Sequence, residues 1–205
     1  LTKGKHTLKF LFGDEEDFAF NEAYSGVYNL STANFSVYGE SPNDNAGSSI
    51  ATADFNGDGI KDMLIGAPHY GESDIGKAYV VLGPFPADGS ALNLSLANWS
   101  WYGANGSDHA GFSVAAGDID ADGFDDMIIG APYYDFDVNP LNVDVGAVYV
   151  IYGNTVVASF NLSKVNSAVG RAIFMGQNLS DYSGFSLAAG NLTGDARDDI
   201  VVGAP

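Results

Sequence analysis

Three short segments concentrate oxygen donors that could hold a hard cation. Asp54, Asn56, Asp58 and Asp62 alternate along the first, with the carbonyl of Ile60 between the last two. Asp118, Asp120, Asp122 and Asp126 alternate along the second, with the carbonyl of Phe124 in the matching place. The third offers Asn191, Thr193, Asp195 and Asp199, with the carbonyl of Arg197. Carboxylates crowded this closely repel one another unless a cation lies among them. Donors at positions 1, 3, 5, 7 and 9 of a tight loop turn inward together, and an all-oxygen set suits Ca²⁺. Gly59 and Gly123 fall at position 6, where the sharp turn needs a positive φ. In the third loop Asn191 and Thr193 replace two carboxylates and Ala196 replaces that glycine. Two calcium sites and a weaker third are expected, each pinning the turn between two strands. An EF-hand would need Glu at position 12, where Ile65 and Ile129 stand, and flanking helices, where apolar strands and Gly-Ala-Pro follow; a dockerin-type loop would open a helix, which Pro68 and Pro132 disfavour. The plain alternative is a set of solvated acidic turns without metal.

Each loop is followed by the same tripeptide: Gly66-Ala67-Pro68, Gly130-Ala131-Pro132 and Gly203-Ala204-Pro205. The surrounding residues repeat as well. Phe35-Ser36-Val37-Tyr38-Gly39 matches Trp99-Ser100-Trp101-Tyr102-Gly103 and Ala172-Ile173-Phe174-Met175-Gly176. The β-branched and aromatic run Lys77–Leu82 matches Ala147–Tyr152, each closed by glycine. Length differences between units fall in the connections, which implies a fixed core unit. No segment shows a helical period over helical length; the pattern is short strands bounded by glycine and acidic turns. Four antiparallel strands per unit predict an all-β chain of β-propeller blades, about three blade equivalents in total. The expected divisions are the back half of a blade over 1–34, blades over 35–98 and 99–171, and the front half of a blade over 172–205. All would form one propeller-type domain, partial or completed by another chain segment.

The order Gly-Phe-Ser-x-Ala-Ala-Gly, acidic loop, Gly-Ala-Pro, then an aromatic strand resembles the FG-GAP repeat. Gly111–Asp118 and Gly184–Asn191 carry the likeness best, while Gly47-Ser48-Ser49-Ile50 departs from it. The resemblance implies the propeller of integrin α-subunits, calcium in the matching loops, and a place outside the cell. It also implies a cell-surface partner, whether protein or glycan.

Composition narrows the classes. The net charge is −18, with 8 Lys+Arg against 26 Asp+Glu. Such a surface repels nucleic acid and anionic lipid. No apolar run approaches the length of a membrane span, so membrane insertion is not expected. Cysteine is absent, so disulfides and thiol chemistry are excluded. Sequons stand at Asn29, Asn34, Asn93, Asn98, Asn105, Asn161 and Asn178, and formally at Asn191 within the third loop. Composition alone would give about two, and the excess points to a secreted glycoprotein.

Catalysis finds little support. His6, His69 and His109 are far apart and occupy different repeat positions. No nucleophile elbow, phosphate loop or zinc-protease motif occurs. Trp99, Trp101, Tyr102, Tyr133 and Tyr134 suit packing between blades, or else a sugar-binding surface. The expectation is a non-catalytic, calcium-binding adhesion or structural scaffold. The matching half-blades could also join protomers head to tail into a ring or filament. The alternatives are an accessory propeller of a larger secreted enzyme and a carbohydrate-binding module.

Overall fold

Alternation of side chains across each strand decides where this chain puts its core. The computed structural model describes residues 7–10, 33–135, 144–153, 160–162 and 171–205. The strands are β1 Thr7–Phe10, β2 Phe35–Tyr38, β3 Ser49–Ala53, β4 Asp62–Ala67, β5 Lys77–Val81, β6 Ser90–Asn93 and β7 Trp99–Tyr102. They continue as β8 Ser113–Gly117, β9 Asp126–Ala131, β10 Ala147–Ile151, β11 Phe160–Asn161, β12 Arg171–Met175, β13 Ser186–Gly190 and β14 Asp199–Gly203. A 3₁₀ turn, Leu94–Leu96, follows β6 and is capped by the Asn93 side chain, which accepts from Ser95 N.

Two sheets carry the antiparallel meander that the repeat predicts. One runs β3-β4-β5-β7 and the other β8-β9-β10-β12, and β13-β14 form a further hairpin of the same kind. These are propeller blades. Sheet and sequence repeat are out of step by one strand. Trp99–Tyr102, which opens a repeat in the sequence, pairs with Lys77–Val81 and closes the sheet before it. Phe35–Tyr38 likewise pairs with Thr7–Phe10.

A feature absent from the four-strand expectation is a parallel strand laid on the outer edge of the preceding sheet. β6 leaves one blade and pairs in parallel with β2, and β11 does the same with β7. The first complete sheet thus has five strands, in the order β11-β7-β5-β4-β3. Asn93-Leu94-Ser95 and Asn161-Leu162 lie at these straps. Leu94 and Leu162 are each buried at 1% exposure, pinning the strap to the core between sheets. The strap covers a row of edge N–H and C=O groups that would otherwise face solvent or another chain.

Both faces of the central strands are buried, which explains their continuous apolar character. On β4, Leu64 joins Val80, Trp101, Met127, Ile129 and Tyr149 between the two full sheets. Met63 and Ile65 face the other way, onto Phe35, Val37, Tyr79 and Val81. Ile128, Val148 and Val150 form a third layer against Leu187 and Ile200. A one-residue register slip would exchange the two faces of a strand, so the alternation specifies the pairing strongly. Trp101 is fully buried, and Trp99 and Tyr134 pack against the same layer. These aromatics therefore serve the blade interface.

The first two Gly-Ala-Pro glycines, Gly66 and Gly130, are points of close approach between sheets. A Cβ on Gly66 would lie 2.0 Å from the Gly111 carbonyl oxygen of the next blade. One on Gly130 would lie 2.3 Å from that of Gly184. Ser49 Oγ donates to Gly111 O at 2.9 Å, and Ser113 Oγ to Gly184 O at 2.6 Å. The same seam is thus made twice, with the same residue types.

Candidate metal centre

Each acidic loop joins the first two strands of a blade, so its ends are held by an antiparallel strand pair. The second loop, between β8 and β9, shows how the turn is made. Asp118 Oδ1 accepts from Asp122 N at 3.1 Å, and Oδ2 from Gly123 N at 3.0 Å. Asp120 Oδ1 also accepts from Asp122 N, and Asp122 Oδ1 from Phe124 N. Asp126 is fully buried; its two oxygens accept from Ile119 N and Gly153 N. Gly123 takes φ +92° and Gly59, its counterpart, +85°, the conformation that reserves position 6 for glycine.

This folding brings the oxygens of Asp118, Asp120 and Asp126 within 4.8 Å of one another. Burial pushes the Asp126 carboxyl up to about 7, and the Asp120 and Asp118 charges add to the shift. Asp120 is raised too, by desolvation and by Asp122. The donors are all oxygens, they converge, and their mutual repulsion is what a divalent cation would relieve. The set therefore fits such an ion.

The first loop repeats the turn. Asp54 accepts from Gly57 N, Asp58 N and Gly59 N, and buried Asp62 accepts from Phe55 N and Gly83 N. Asn56 stands where the second loop has Asp120, and its amide donates to Asp58 Oδ2 at 2.9 Å. The Asp62 carboxyl is raised by burial. The third loop is arranged differently. The Asn191 amide donates to the Asp195 carbonyl, and its oxygen accepts from Gly194 N. Asp199 is occupied by Leu192 N and Thr193 N at 2.8 Å each, and these bonds lower its pKa. Arg197 N donates to Asp195 Oδ1. The neutral Asn191 side chain thus closes this loop by hydrogen bonds where the second loop gathers the Asp118 and Asp120 carboxylates.

Two acidic residues outside the alternating set tie the loops together. Asp125 Oδ2 accepts from Asp54 N at 2.8 Å and pairs with Lys61 Nζ at 3.0 Å. Asp198 Oδ2 accepts from Asp118 N at 3.2 Å. Each therefore holds the first residue of the preceding loop from the next blade. The signal was present, since aspartate recurs at position 8 of loops two and three, but its partner is 71 or 80 residues away. Replacing Asp125 by Ala leaves the Asp54 N–H without its acceptor. The expected cost is about 1–2 kcal/mol, read from the denaturant midpoint at constant slope.

Among the described residues, His69 and His109 form no constellation with these carboxylates. His69 follows Gly-Ala-Pro and meets His109 of the next blade edge to face, with ring centroids 5.0 Å apart. Tyr133, in the place of His69, meets Tyr182 in the same way at 5.5 Å. His69 Nδ1 lies 3.3 Å from Asp74 Oδ1. This pairing between repeat positions is a blade contact that sequence distance conceals. His6 lies outside the described residues.

The FG-GAP repeat model matches residues 46–81 and 110–151, which bracket the first two loops. Integrin alpha-PS2 of Drosophila melanogaster is 27% identical over 83% of this chain. Integrin alpha-4 of Xenopus laevis is 31% identical over 77%. The phosphatidylinositol-glycan-specific phospholipase D of Bos taurus is 29% identical over 83%. The chain spans 12%, 14% and 20% of the lengths of these relatives. Repeated motif, repeated blade and these likenesses agree, and the chain belongs to the FG-GAP repeat proteins of integrin α type.

Proposed function

We propose that this chain is a calcium-stabilised, non-catalytic propeller segment that serves as an adhesion scaffold outside the cell. The observation that carries the reading is the convergence of Asp118, Asp120 and Asp126 within 4.8 Å, at a turn clamped to the adjoining blades. Ca²⁺ would be held there by these carboxylates with Asp122 and the Phe124 carbonyl. In the first loop it would be held by Asp54, Asn56, Asp58, Asp62 and the Ile60 carbonyl. The third loop, with Asn191, Thr193, Asp195, Asp199 and the Arg197 carbonyl, would bind more weakly, because neutral Asn191 and Thr193 stand where the second loop has Asp118 and Asp120, and the Asn191 side chain is engaged with Asp195 and Gly194. The bound ion would fix the angle between two strands without entering any reaction.

Calorimetric titration of calcium tests this. Two sites with dissociation constants near 10⁻⁴ M are expected, as for extracellular modules. Absence of binding up to about 10 mM calcium would sink the proposal.

Among the described residues no helix is long and apolar enough to cross a membrane. Sequons at exposed Asn98, Asn105 and Asn178, and at half-exposed Asn34, Asn93 and Asn161, leave room for glycans and agree with an extracellular place. Asn29 lies outside the described residues. The likeness to the bovine phospholipase favours, as a second reading, an accessory propeller in a larger secreted enzyme. The sugar-binding reading loses ground to the burial of Trp101 and the packing of Trp99 and Tyr134. Val201 and Val202 on β14 remain exposed, and two strands added beside β14 would complete a blade. Such strands from a second copy would produce head-to-tail assembly, which light scattering would reveal as mass above the monomer.

A further inference from the structure

One inter-blade position is built around an ammonium group in the first unit and keeps the same walls, without that group, in the second. In the first unit Lys77, 9% exposed, places its Nζ 4.4 Å above the Tyr70 ring and 4.7 Å above the Tyr79 ring. The ammonium donates to Glu40 Oε2 at 2.7 Å, and the Tyr79 hydroxyl donates to the same oxygen at 2.9 Å. A desolvated ammonium over two aromatic faces with one carboxylate is a satisfied arrangement.

The second unit reproduces the ring pair. Tyr134 and Tyr149 meet at 6.3 Å and 89°, against 6.4 Å and 86° for Tyr70 and Tyr79. Strand register is also the same: Ala147 faces Ala131 as Lys77 faces Ala67. But Ala147 stands where Lys77 stands, and Ala104 follows Gly103 where Glu40 follows Gly39. Tyr149 is 1% exposed and its buried hydroxyl has no hydrogen-bond partner. Asp135 Oδ1 is likewise buried and unpartnered. Asp108, 1% exposed, accepts from Asn105 N at 2.7 Å.

These groups share one neighbourhood: Tyr149, Tyr134 and Ala110 pack in one buried cluster, which brings Asp135, next to Tyr134, and Asp108, two residues before Ala110, to the same region. Asp108 carries a pKa raised to about 7 by burial, with the charge of Asp135 adding to it. Burial and then Asp108 raise the Tyr149 hydroxyl, and burial and then Asp135 raise Asp144. No lysine or arginine occurs between Lys77 and Lys164 in the sequence. An unpaired buried hydroxyl and an unpaired buried carboxylate oxygen are costly, and a cation answers both. Among the described residues only Asp118, Asp120 and Asp126 bring three ligand atoms within 4.8 Å. Asp108, Asp135 and Asp144 are therefore not a preformed metal chelate, and the ring pair favours a nitrogen cation.

We propose that the second unit binds a protonated primary amine over the rings of Tyr134 and Tyr149 and beside Asp108 and Asp135, where Lys77 lies in the first unit. The amine belongs either to a small solute or to a lysine side chain of a partner protein. The test is an NMR titration of the 205-residue chain, in saturating calcium so that the acidic loops do not respond. The probes are methylammonium chloride and Nα-acetyl-lysine methylamide, with sodium chloride at matched ionic strength as control. The Asn105 amide, which reports on Asp108, is expected to shift saturably with at least one probe and not with sodium. Saturation by methylammonium alone identifies a small-solute site; saturation by the lysine derivative identifies a side-chain site. Ala147→Lys supplies the ammonium internally and is expected to weaken binding at least about tenfold. Asp108→Asn is expected to do the same by removing the carboxylate. Equal shifts with sodium, no saturation with either probe, or full binding in both variants would overturn the assignment.

Discussion

Excess EGTA is expected to lower the melting temperature of this chain by about 6–11 °C in a buffer that held about 1 mM calcium. A site with a dissociation constant near 10⁻⁴ M contributes about 1.4 kcal/mol at that concentration. Two such sites give about 2.8 kcal/mol, and for a domain of this size each kcal/mol moves the transition by about 2–4 °C. The effect concentrates at the blade edges because Asp62 and Asp126 are fully buried and are tied to Gly83 and Gly153 of the third strand's end. Exchanging Asp118 and Asp120 together for asparagine leaves acceptors for the turn, as Asn56 shows in the first loop. It removes two of the three converging charges, so the response to chelator should fall by about half. A melting curve indifferent to EGTA would argue that the turns stand on their Asx hydrogen bonds alone.

Gly76→Ala should be among the most damaging single substitutions, at about 3–5 kcal/mol. Gly76 has φ +76°, and a Cβ there would lie 2.2 Å from Ala110 N and 2.4 Å from Ala110 O. Both atoms are backbone of the next blade, so no side chain can rotate away. Gly76 also forms a parallel bridge with Ala110, and its carbonyl accepts from Gly103 N at 3.0 Å. Displacement would therefore open the seam between sheets as well as strain one residue. Gly89→Ala separates the two contributions. Gly89 has φ +77° with nothing within 4 Å of its Cβ position, so only the conformational cost of about 1–2 kcal/mol applies. If both variants unfold at the same urea concentration, the inter-blade contact is not what matters at Gly76.

The strands were legible because their signals are local. Lys77–Leu82 and Ala147–Tyr152 read as β-branched and aromatic strands, and they hold β5 and β10. The positive φ at Gly59 and Gly123 was legible for the same reason, since a turn's geometry is confined to a few residues. The straps were not. Ser90–Asn93 and Phe160–Asn161 have too few apolar positions to announce strands, and they form as strands by pairing in parallel with β2 and β7. The third loop could be read as weaker from Asn191 and Thr193. That Asp199 turns onto Leu192 and Thr193 needed coordinates.

By itself the sequence settled what recurs: the acidic turns, the Gly-Ala-Pro ends and the alternation that buries both faces of a strand. Each depends on residues within a few positions of one another, so composition and spacing carry it. The tertiary structure alone decided what meets across a seam. Asp125 reaches Asp54, His69 meets His109, and Gly66 lies under Gly111. Equivalent positions in two units also diverge there, for the Tyr79 hydroxyl donates to Glu40 while the Tyr149 hydroxyl keeps no partner. Such contacts depend on how twisted sheets pack, and packing couples residues whose separation along the chain holds no trace of their contact.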